Sequence, residues 1–151
     1  MTLYAFLKFL HVLLATVAVG FNASYGIWLA RLAKEPEHAP HVLRGIKLLD
    51  DRFANPAYAL LLVTGFAMLA VGGIPVSTFW IASALVLFAI LAVVGLAAYT
   101  PTLRRQIAIV EAGGVDSEEY RRLAARSGIV GGVLAALVVV IVFLMVTKPT
   151  L

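Results

Sequence analysis

Residues 55–99 decide the fold: NPAYALLLVTGFAMLAVGGIPVSTFWIASALVLFAILAVVGLAAY. Two apolar runs, 55–71 and 77–99, flank the uncharged turn Gly72-Gly73-Ile74-Pro75-Val76. About 20 helical residues cross the ~30 Å hydrocarbon core of a bilayer, and a short turn rich in glycine and proline makes consecutive helices antiparallel. The stretch therefore predicts a transmembrane helical hairpin.

The rest of the chain adds two more apolar runs, near residues 3–29 and 127–147. The 151 residues are 62% hydrophobic and 13% charged, whereas a soluble domain carries about 25% charged residues. No run alternates as a strand does, and a helix satisfies its own backbone hydrogen bonds in lipid. We expect an all-α integral membrane four-helix bundle, antiparallel, with residues 1–151 forming a single transmembrane domain.

The basic residues predict the orientation in the membrane. Ten of them lie in the two long loops: Arg31, Lys34, Arg44, Lys47, Arg52, Arg104, Arg105, Arg121, Arg122 and Arg126. Only Lys148 lies on the opposite side, so the positive-inside rule makes both loops cytoplasmic. We expect a multi-pass protein of the bacterial inner membrane with both termini outside the cytoplasm. The expected partners of the basic groups are anionic lipids, not nucleic acid.

Both long loops carry helical patterns and should project as cytoplasmic extensions. Val42, Ile46, Leu49 and Phe53 recur at helical spacing, and Asn55-Pro56 marks a kink or a new start. Asp116 and Glu119 resemble a capping box that opens a long fourth helix. His38 and His41 flank Pro40 and are interpreted as loop residues.

Polar residues of the first span share one face. The steps between Tyr4, Lys8, His11, Ala15, Ala18, Asn22 and Tyr25 alternate between four and three residues. Polar groups in lipid point into a bundle, so this seam should face the other helices. In a purely structural interpretation, Lys8 reaches the outer interface, His11 bonds a carbonyl group and Asn22 bridges two helices.

His11 is the only histidine in a span, and imidazole is a ligand of haem iron and of copper. We therefore expect any haem b or copper to be bound by His11, with Lys8, Asn22 and Tyr25 as further cofactor-binding residues on the same face. A second ligand would come from Met68, Met145, Lys8 or His11 of a second copy.

Other side chains limit the chemistry. The chain has no cysteine, which excludes disulfides and thiolate ligands. All eight carboxylates lie outside the predicted spans, which counts against a proton-coupled carrier. The cluster Asp50-Asp51-Arg52 has three alternative interpretations: it gates a cavity, it binds a partner loop, or it is a solvated helix end.

The fourth span carries a ridge of small residues: Ala124, Gly128, Gly132 and Ala136. Such a ridge lets two transmembrane backbones approach closely. We expect it to pack against a helix of the same bundle or against a second copy, giving a homo-oligomer or a place in a larger membrane complex.

Several motifs resemble a known family. Leu7-Lys8-Phe9-Leu10-His11-Val12-Leu13, Gly20, Asn55-Pro56 and Thr64-Gly65 resemble the bacterial membrane proteins of domain of unknown function 2269. That family looks similar to the copper-resistance D type and to the HemJ-type protoporphyrinogen oxidase, whose early histidine implies a haem or metal role for His11. This chain lacks the intramembrane lysine that the HemJ type carries in its third span.

Two functions follow as hypotheses. In the first, this is a bacterial inner-membrane four-helix protein that binds haem or a metal through His11. In the second, it is a non-catalytic accessory or scaffold subunit of a larger membrane complex.

Overall fold

The computed structural model describes residues 2–150, which form helices and turns without any strand. The six α-helices are α1 (Leu3–Leu32), α2 (Ala39–Leu49), α3 (Asn55–Gly72), α4 (Phe79–Val94), α5 (Thr100–Glu111) and α6 (Glu118–Thr147). Pro36–His38 is a 3₁₀ turn, and Asp50–Ala54 and Gly95–Tyr99 are π-helical. The all-α prediction is confirmed.

Four helical stretches are long and apolar enough to cross a membrane: Leu3–Leu32, Pro36–Gly72, Phe79–Glu111 and Glu118–Thr147. The second joins α2 to α3, and the third joins α4 to α5, each through a π-helical segment. The four predicted spans and their helical extensions are therefore confirmed. We call α2, α5 and the adjoining ends of α1 and α6 the stalk.

The two π-helical segments each precede a proline, Pro56 in α3 and Pro101 in α5. A proline ring clashes with the carbonyl group four residues earlier and has no N–H to donate. A wider turn relieves both problems: the N–H of Asn55 donates to the Asp50 carbonyl, and the N–H of Thr100 donates to the Gly95 carbonyl. The kink predicted at Asn55-Pro56 is thus a π turn, and the matching one before Pro101 was not predicted.

The buried face of α2 differs from the predicted one because of the π turn. Ala39, Leu43 and Ile46 are its buried residues, whereas Phe53 is half exposed and stacks on Phe21 with ring centroids 5.4 Å apart. The extra residue in the π turn breaks the helical spacing that grouped Phe53 with Ile46.

Two local details differ from the sequence prediction. The N-cap of α6 is Ser117, whose hydroxyl accepts from the backbone N–H of Tyr120 at 3.1 Å. The capping box predicted from Asp116 is therefore wrong by one residue. His41 lies in the first turn of α2 because Pro40 occupies a position there that needs no N–H donor; His38 lies in the 3₁₀ turn.

The helices associate as two pairs, α1 with α3 and α4 with α6. Gly73, in the left-handed region with φ +63°, ends α3 and starts the short turn to α4. Although joined by this turn, α3 and α4 barely pack against each other, and the Tyr58 and Phe88 rings meet edge to face at 6.1 Å. A cleft therefore separates the pairs.

The packed core lies at the stalk, where α2 packs against α5 and α5 against α6. Its buried side chains are Tyr25, Leu32, Ala39, Leu43, Ile46, Tyr99, Leu103, Val110 and Tyr120. Exposed ion pairs join its helices, Arg44 with Glu111 at 2.7 Å and Arg105 with Glu119 at 2.6 Å. The stalk holds the bundle together at one end, and large apolar side chains of the spans remain exposed, as a lipid-facing surface requires.

Candidate functional site

The side chain of His11, a residue of α1, extends toward α3. Its Nδ1 is 2.9 Å from the hydroxyl of Thr64, and that hydroxyl donates to the Leu60 carbonyl at 2.8 Å. Since the hydroxyl proton is committed to the carbonyl, we assign Nδ1 as the donor to Thr64. Gly65 lies against the ring, so a Cβ built there would be 3.4 Å from His11 Cε1. His11 thus links two spans.

The polar seam of α1 was predicted to face the other three helices, and its Tyr4, His11 and Asn22 side chains contact α3. The Tyr4 ring lies over Gly72, where a Cβ would be 3.0 Å from Tyr4 Cε2. Three turns beyond His11, Asn22 Nδ2 donates to the Tyr58 hydroxyl at 2.9 Å. Lys8 is the exception, because its side chain is exposed.

A cleft of about 1230 Å³ lies between the two helix pairs. Its walls are mainly apolar and include Val19, Leu29, Phe88, Leu91, Leu134 and Val138. The lining residues also include polar ones: Asn22, Tyr25, Asp50, Asn55, Tyr58, Tyr99, Thr100, Gln106, Asp116, Tyr120, Arg121 and Ser127. A mostly apolar cavity with a few convergent polar groups is the usual form of a small-molecule site.

Tyr25 is the most informative residue of the cleft. It is 3% exposed, and within residues 2–150 its hydroxyl is the buried side-chain polar atom without a hydrogen-bond partner. An unpaired buried polar group costs about 1–3 kcal/mol. The hydroxyl has almost no accessible surface, so it is not open to a group in the cleft.

Asp50 contributes the second polar group. It is 7% exposed, lines the cleft, and accepts a hydrogen bond from Asn55 Nδ2 at 3.2 Å. The expectation of a solvated helix end holds for Asp51 and Arg52, which are exposed, but is wrong for Asp50. The π turn accounts for the difference, because it turns Asp50 toward α1.

Gln106 and Ser127 fix the stalk end of the cleft. Ser127 Oγ donates to Gln106 Oε1 at 2.6 Å, and both side chains are buried. Sequence analysis missed this pair. The available signal was the spacing of Leu103, Gln106 and Val110, which places an uncharged polar group on the buried face of α5.

Two glycines of the small-residue ridge of α6, Gly128 and Gly132, do not pack against another helix of this chain, whereas Ala124 packs against the stalk core. A Cβ built at Gly128 or Gly132 meets nothing within 4 Å, and both glycines line the cleft. The expected contact inside the bundle is therefore wrong, because the ridge forms a wall of open space. The alternative contact, with a second copy, stays a prediction.

The predicted cofactor-binding residues fall into two groups. Asn22 and Tyr25 line the cleft, whereas His11 and Lys8 do not. His11 is about 16 Å from Asn22 along the axis of α1, at 1.5 Å per residue. Among residues 2–150, no three His, Cys, Asp or Glu side chains are grouped to hold a metal ion, and the described cleft lining includes no histidine, methionine or cysteine.

Four apolar helices around a partly polar cleft define a multi-pass integral membrane protein. Residues 5–149 match the family described as predicted integral membrane protein (DUF2269), and the chain belongs to that family. No curated protein and no solved structure matches it significantly. The further likeness to the copper-resistance D and HemJ types stays a prediction.

Proposed function

We propose that this protein binds an amphiphilic small molecule, taken up from the lipid bilayer, in the cleft between the two helix pairs. The cleft carries the proposal, because its walls are mainly apolar and polar side chains such as Asn22, Asp50 and Tyr58 are among its lining residues. An apolar tail matches the walls, and a polar head group can bond to these side chains.

The size of the cleft suits a small molecule. The cleft measures about 1230 Å³, slightly more than the largest usual small-molecule sites, which measure about 1,000 Å³.

Membrane location and orientation are part of the same proposal. The basic residues of both loops lie on the stalk and the π turn beside it, and Lys148 follows α6 at the opposite end. This distribution supports an inner-membrane protein with a cytoplasmic stalk and both termini outside. The polar end of the cleft then lies near the cytoplasmic surface.

The two earlier hypotheses have weaker geometric support. For haem or copper, His11 has a structural partner in Thr64 and lies outside the cleft lining. For a scaffold subunit, the ridge that would dock a partner lines the cleft. The small-molecule proposal is the one that the cleft itself supports.

The test is to identify what copurifies with the protein. The full chain is isolated in nanodiscs, and extracted small molecules are compared by mass spectrometry with those of empty nanodiscs from the same membranes. Gly132→Leu places a side chain inside the cleft, and Gly20→Leu is the matched control on an exposed face of α1 where a Cβ also meets nothing within 4 Å.

We expect one class of amphiphile to be enriched in the parent and in Gly20→Leu, and reduced in Gly132→Leu. All three proteins should fold, because a Cβ at either glycine meets no neighbouring atom within 4 Å. The proposal is overturned if the parent enriches nothing, or if Gly132→Leu retains the enriched molecule.

A further inference from the structure

We infer that the amphiphile bound in the cleft has an ammonium head group, and that Asp50 is its counter-ion. The inference rests on the proposed function and specifies its ligand. Three features of Asp50 support it: its burial, the lack of a paired cation from the chain, and a carboxylate oxygen that stays open to the cleft.

Asp50 is a buried carboxylate in the wall of the cleft. It is 7% exposed, whereas the neighbouring Asp51 and Arg52 are exposed. Removing an ionised carboxylate from water is strongly destabilising unless a group of opposite charge pairs with it. The position of Asp50 therefore favours a cation beside it.

The chain itself does not pair a cation with this carboxylate. Within residues 2–150, Asp50 takes part in none of the ion pairs. Lys47, one turn earlier, pairs with Asp51 instead. Arg121 also belongs to the cleft lining, but it is exposed and pairs with Glu118 at 3.2 Å. A ligand can supply the missing charge.

One oxygen of Asp50 is open to such a ligand. Oδ2 accepts from Asn55 Nδ2 at 3.2 Å, and Oδ1 has no donor among residues 2–150. Within that range, the Tyr25 hydroxyl is the side-chain polar atom that lacks both a partner and accessible surface. Oδ1 therefore keeps accessible surface, and Asp50 lines the cleft. A donor in the cleft can reach this oxygen.

An ammonium group matches Asp50 better than the other simple head groups. A carboxylate would be repelled by it. An alcohol donates one hydrogen bond but leaves the charge without a counter-ion. An ammonium both donates a hydrogen bond and compensates the charge, and hydrogen bonds between ionised groups are the stronger ones.

Aromatic residues lie at the same end of the cleft. The charge of Asp50 acts electrostatically on the hydroxyl groups of Tyr25, Tyr58 and Tyr99, so these side chains lie near it although they come from three different helical segments. All three residues line the cleft, as does Phe88. Aromatic rings attract cations and not alcohols, so this lining also favours an ammonium.

The tail of the ligand has a matching path. From the stalk end, Gly128, Gly131 and Gly132 line the cleft along α6, and the space beside Gly128 and Gly132 is open. An alkyl or isoprenoid chain lying on these glycines contacts apolar walls without displacing a side chain.

The test uses three photoreactive probes of equal chain length: dodecylammonium, dodecanol and dodecanoate, each with a diazirine next to the head group. Each probe is added to the full chain in phosphatidylcholine nanodiscs, and the labelled residues are mapped by peptide mass spectrometry. Labelling of the cleft lining is measured against labelling of lipid-facing positions in the same sample.

We expect dodecylammonium to label the cleft at about tenfold lower concentration than dodecanol, and dodecanoate to label it least. A difference of about 1.4 kcal/mol corresponds to tenfold, and a hydrogen bond to a charged group is worth at least that. The label should lie near Asp50, on Asn55 or Tyr58, and not on Val138 or Val139, which line the cleft about two turns beyond Gly131.

Three variants test the role of the charge. Asp50→Asn should lose the preference for dodecylammonium and keep its labelling by dodecanol, which also shows that the cleft still forms. Asp50→Glu keeps the charge and should keep the preference. Asp116→Asn is the matched control, because it removes an exposed carboxylate of the same lining and should change nothing.

The source of the ammonium is tested by competition with unlabelled lysophosphatidylethanolamine. If this lipid displaces dodecylammonium, the ammonium belongs to a phospholipid head group. If it does not, the ligand is an amine without a phosphate. Both results support Asp50 as the counter-ion.

Other results contradict the inference. Equal labelling by dodecanol or dodecanoate, a dodecylammonium label on Val138 or Val139, or loss of the preference in Asp116→Asn would each overturn it and leave the cleft as a binding site. If Asp50→Asn does not fold, the position of the label in the parent decides. If no probe labels the cleft above the lipid-facing positions, or if Gly132→Leu does not reduce that labelling, the proposed function itself fails.

Discussion

Asn55 Nδ2 lies 3.2 Å from Oδ2 of Asp50, although the two residues are five positions apart. In an α-helix, residues five apart point about 140° away from each other, at 3.6 residues per turn. The π turn between them closes this angle, and the backbone N–H of Asn55 donates to the Asp50 carbonyl as well. The turn that accommodates Pro56 therefore also supports a buried carboxylate.

Asn55→Ala is expected to lower the free energy of unfolding by about 1–3 kcal/mol, because it leaves a buried carboxylate without its hydrogen-bond donor. Denaturant unfolding in detergent measures the change. Asp51→Ala, which removes an exposed ion pair with Lys47, is the control and should cost under about 1 kcal/mol. A double-mutant cycle with Asp50→Asn that shows no coupling would contradict the assignment.

Deleting Phe53 should destabilise the protein by about 3 kcal/mol, whereas Phe53→Ala should be tolerated. The deletion removes the extra residue of the π turn, so the Pro56 ring clashes with the carbonyl group that then lies four residues earlier. The alanine variant loses only the partly exposed contact with Phe21, at a cost of about 1 kcal/mol. Size-exclusion profiles and thermal unfolding distinguish the two; equal stability would argue against a fixed register.

Thr64→Val removes the acceptor of His11 while keeping the shape of the side chain. We expect a loss of about 1 kcal/mol in stability, the net value of one hydrogen bond. Thr16→Val is the matched control, since the exposed Thr16 hydroxyl bonds only to the Val12 carbonyl of its own helix. Similar losses in both variants would show that the link between α1 and α3 adds nothing.

The prediction that His11 binds haem b or copper has a direct spectroscopic test. Because Nδ1 is paired with Thr64, a metal would bind to Nε2. The parent, expressed with ample haem and copper, should then show a Soret band or bound copper that His11→Ala lacks. A colourless, metal-free parent, or an alanine variant that keeps the cofactor, would exclude this ligand role.

The proposed orientation predicts that reporters fused to either terminus lie outside the cytoplasm. A reporter inserted at Gly113-Gly114, in the turn between α5 and α6, should lie inside. Activity of a periplasm-dependent reporter at the three positions gives the answer. The opposite pattern would invert the stalk, and with it the location of the polar end of the cleft.

Hydrophobic periodicity and loop charge were sufficient to predict the four spans, the helical extensions and the face of α1 that carries His11 and Asn22. They could not predict the π turns. In a π turn a backbone N–H bonds to the carbonyl group five residues earlier instead of four, and this change of partner leaves no periodic pattern in the sequence. The buried state of Asp50 was missed for that reason.

The cleft was beyond sequence analysis for a different reason. The cleft exists because α3 and α4 barely pack against each other, and a lack of packing leaves no periodic pattern in the sequence. The ridge containing Gly128 and Gly132 predicted a close neighbour, yet the same small side chains are equally suited to bordering an open space.

The concentration of packed side chains in the stalk has an evolutionary consequence. Leu43 and Leu103 hold the helices together at one end, while the walls near Gly128 contribute little to that cohesion. Under the proposed function, substitutions in these walls would change which molecule is bound more than they would change the packing of the stalk. Proteins with the same stalk would then be free to differ in what they bind.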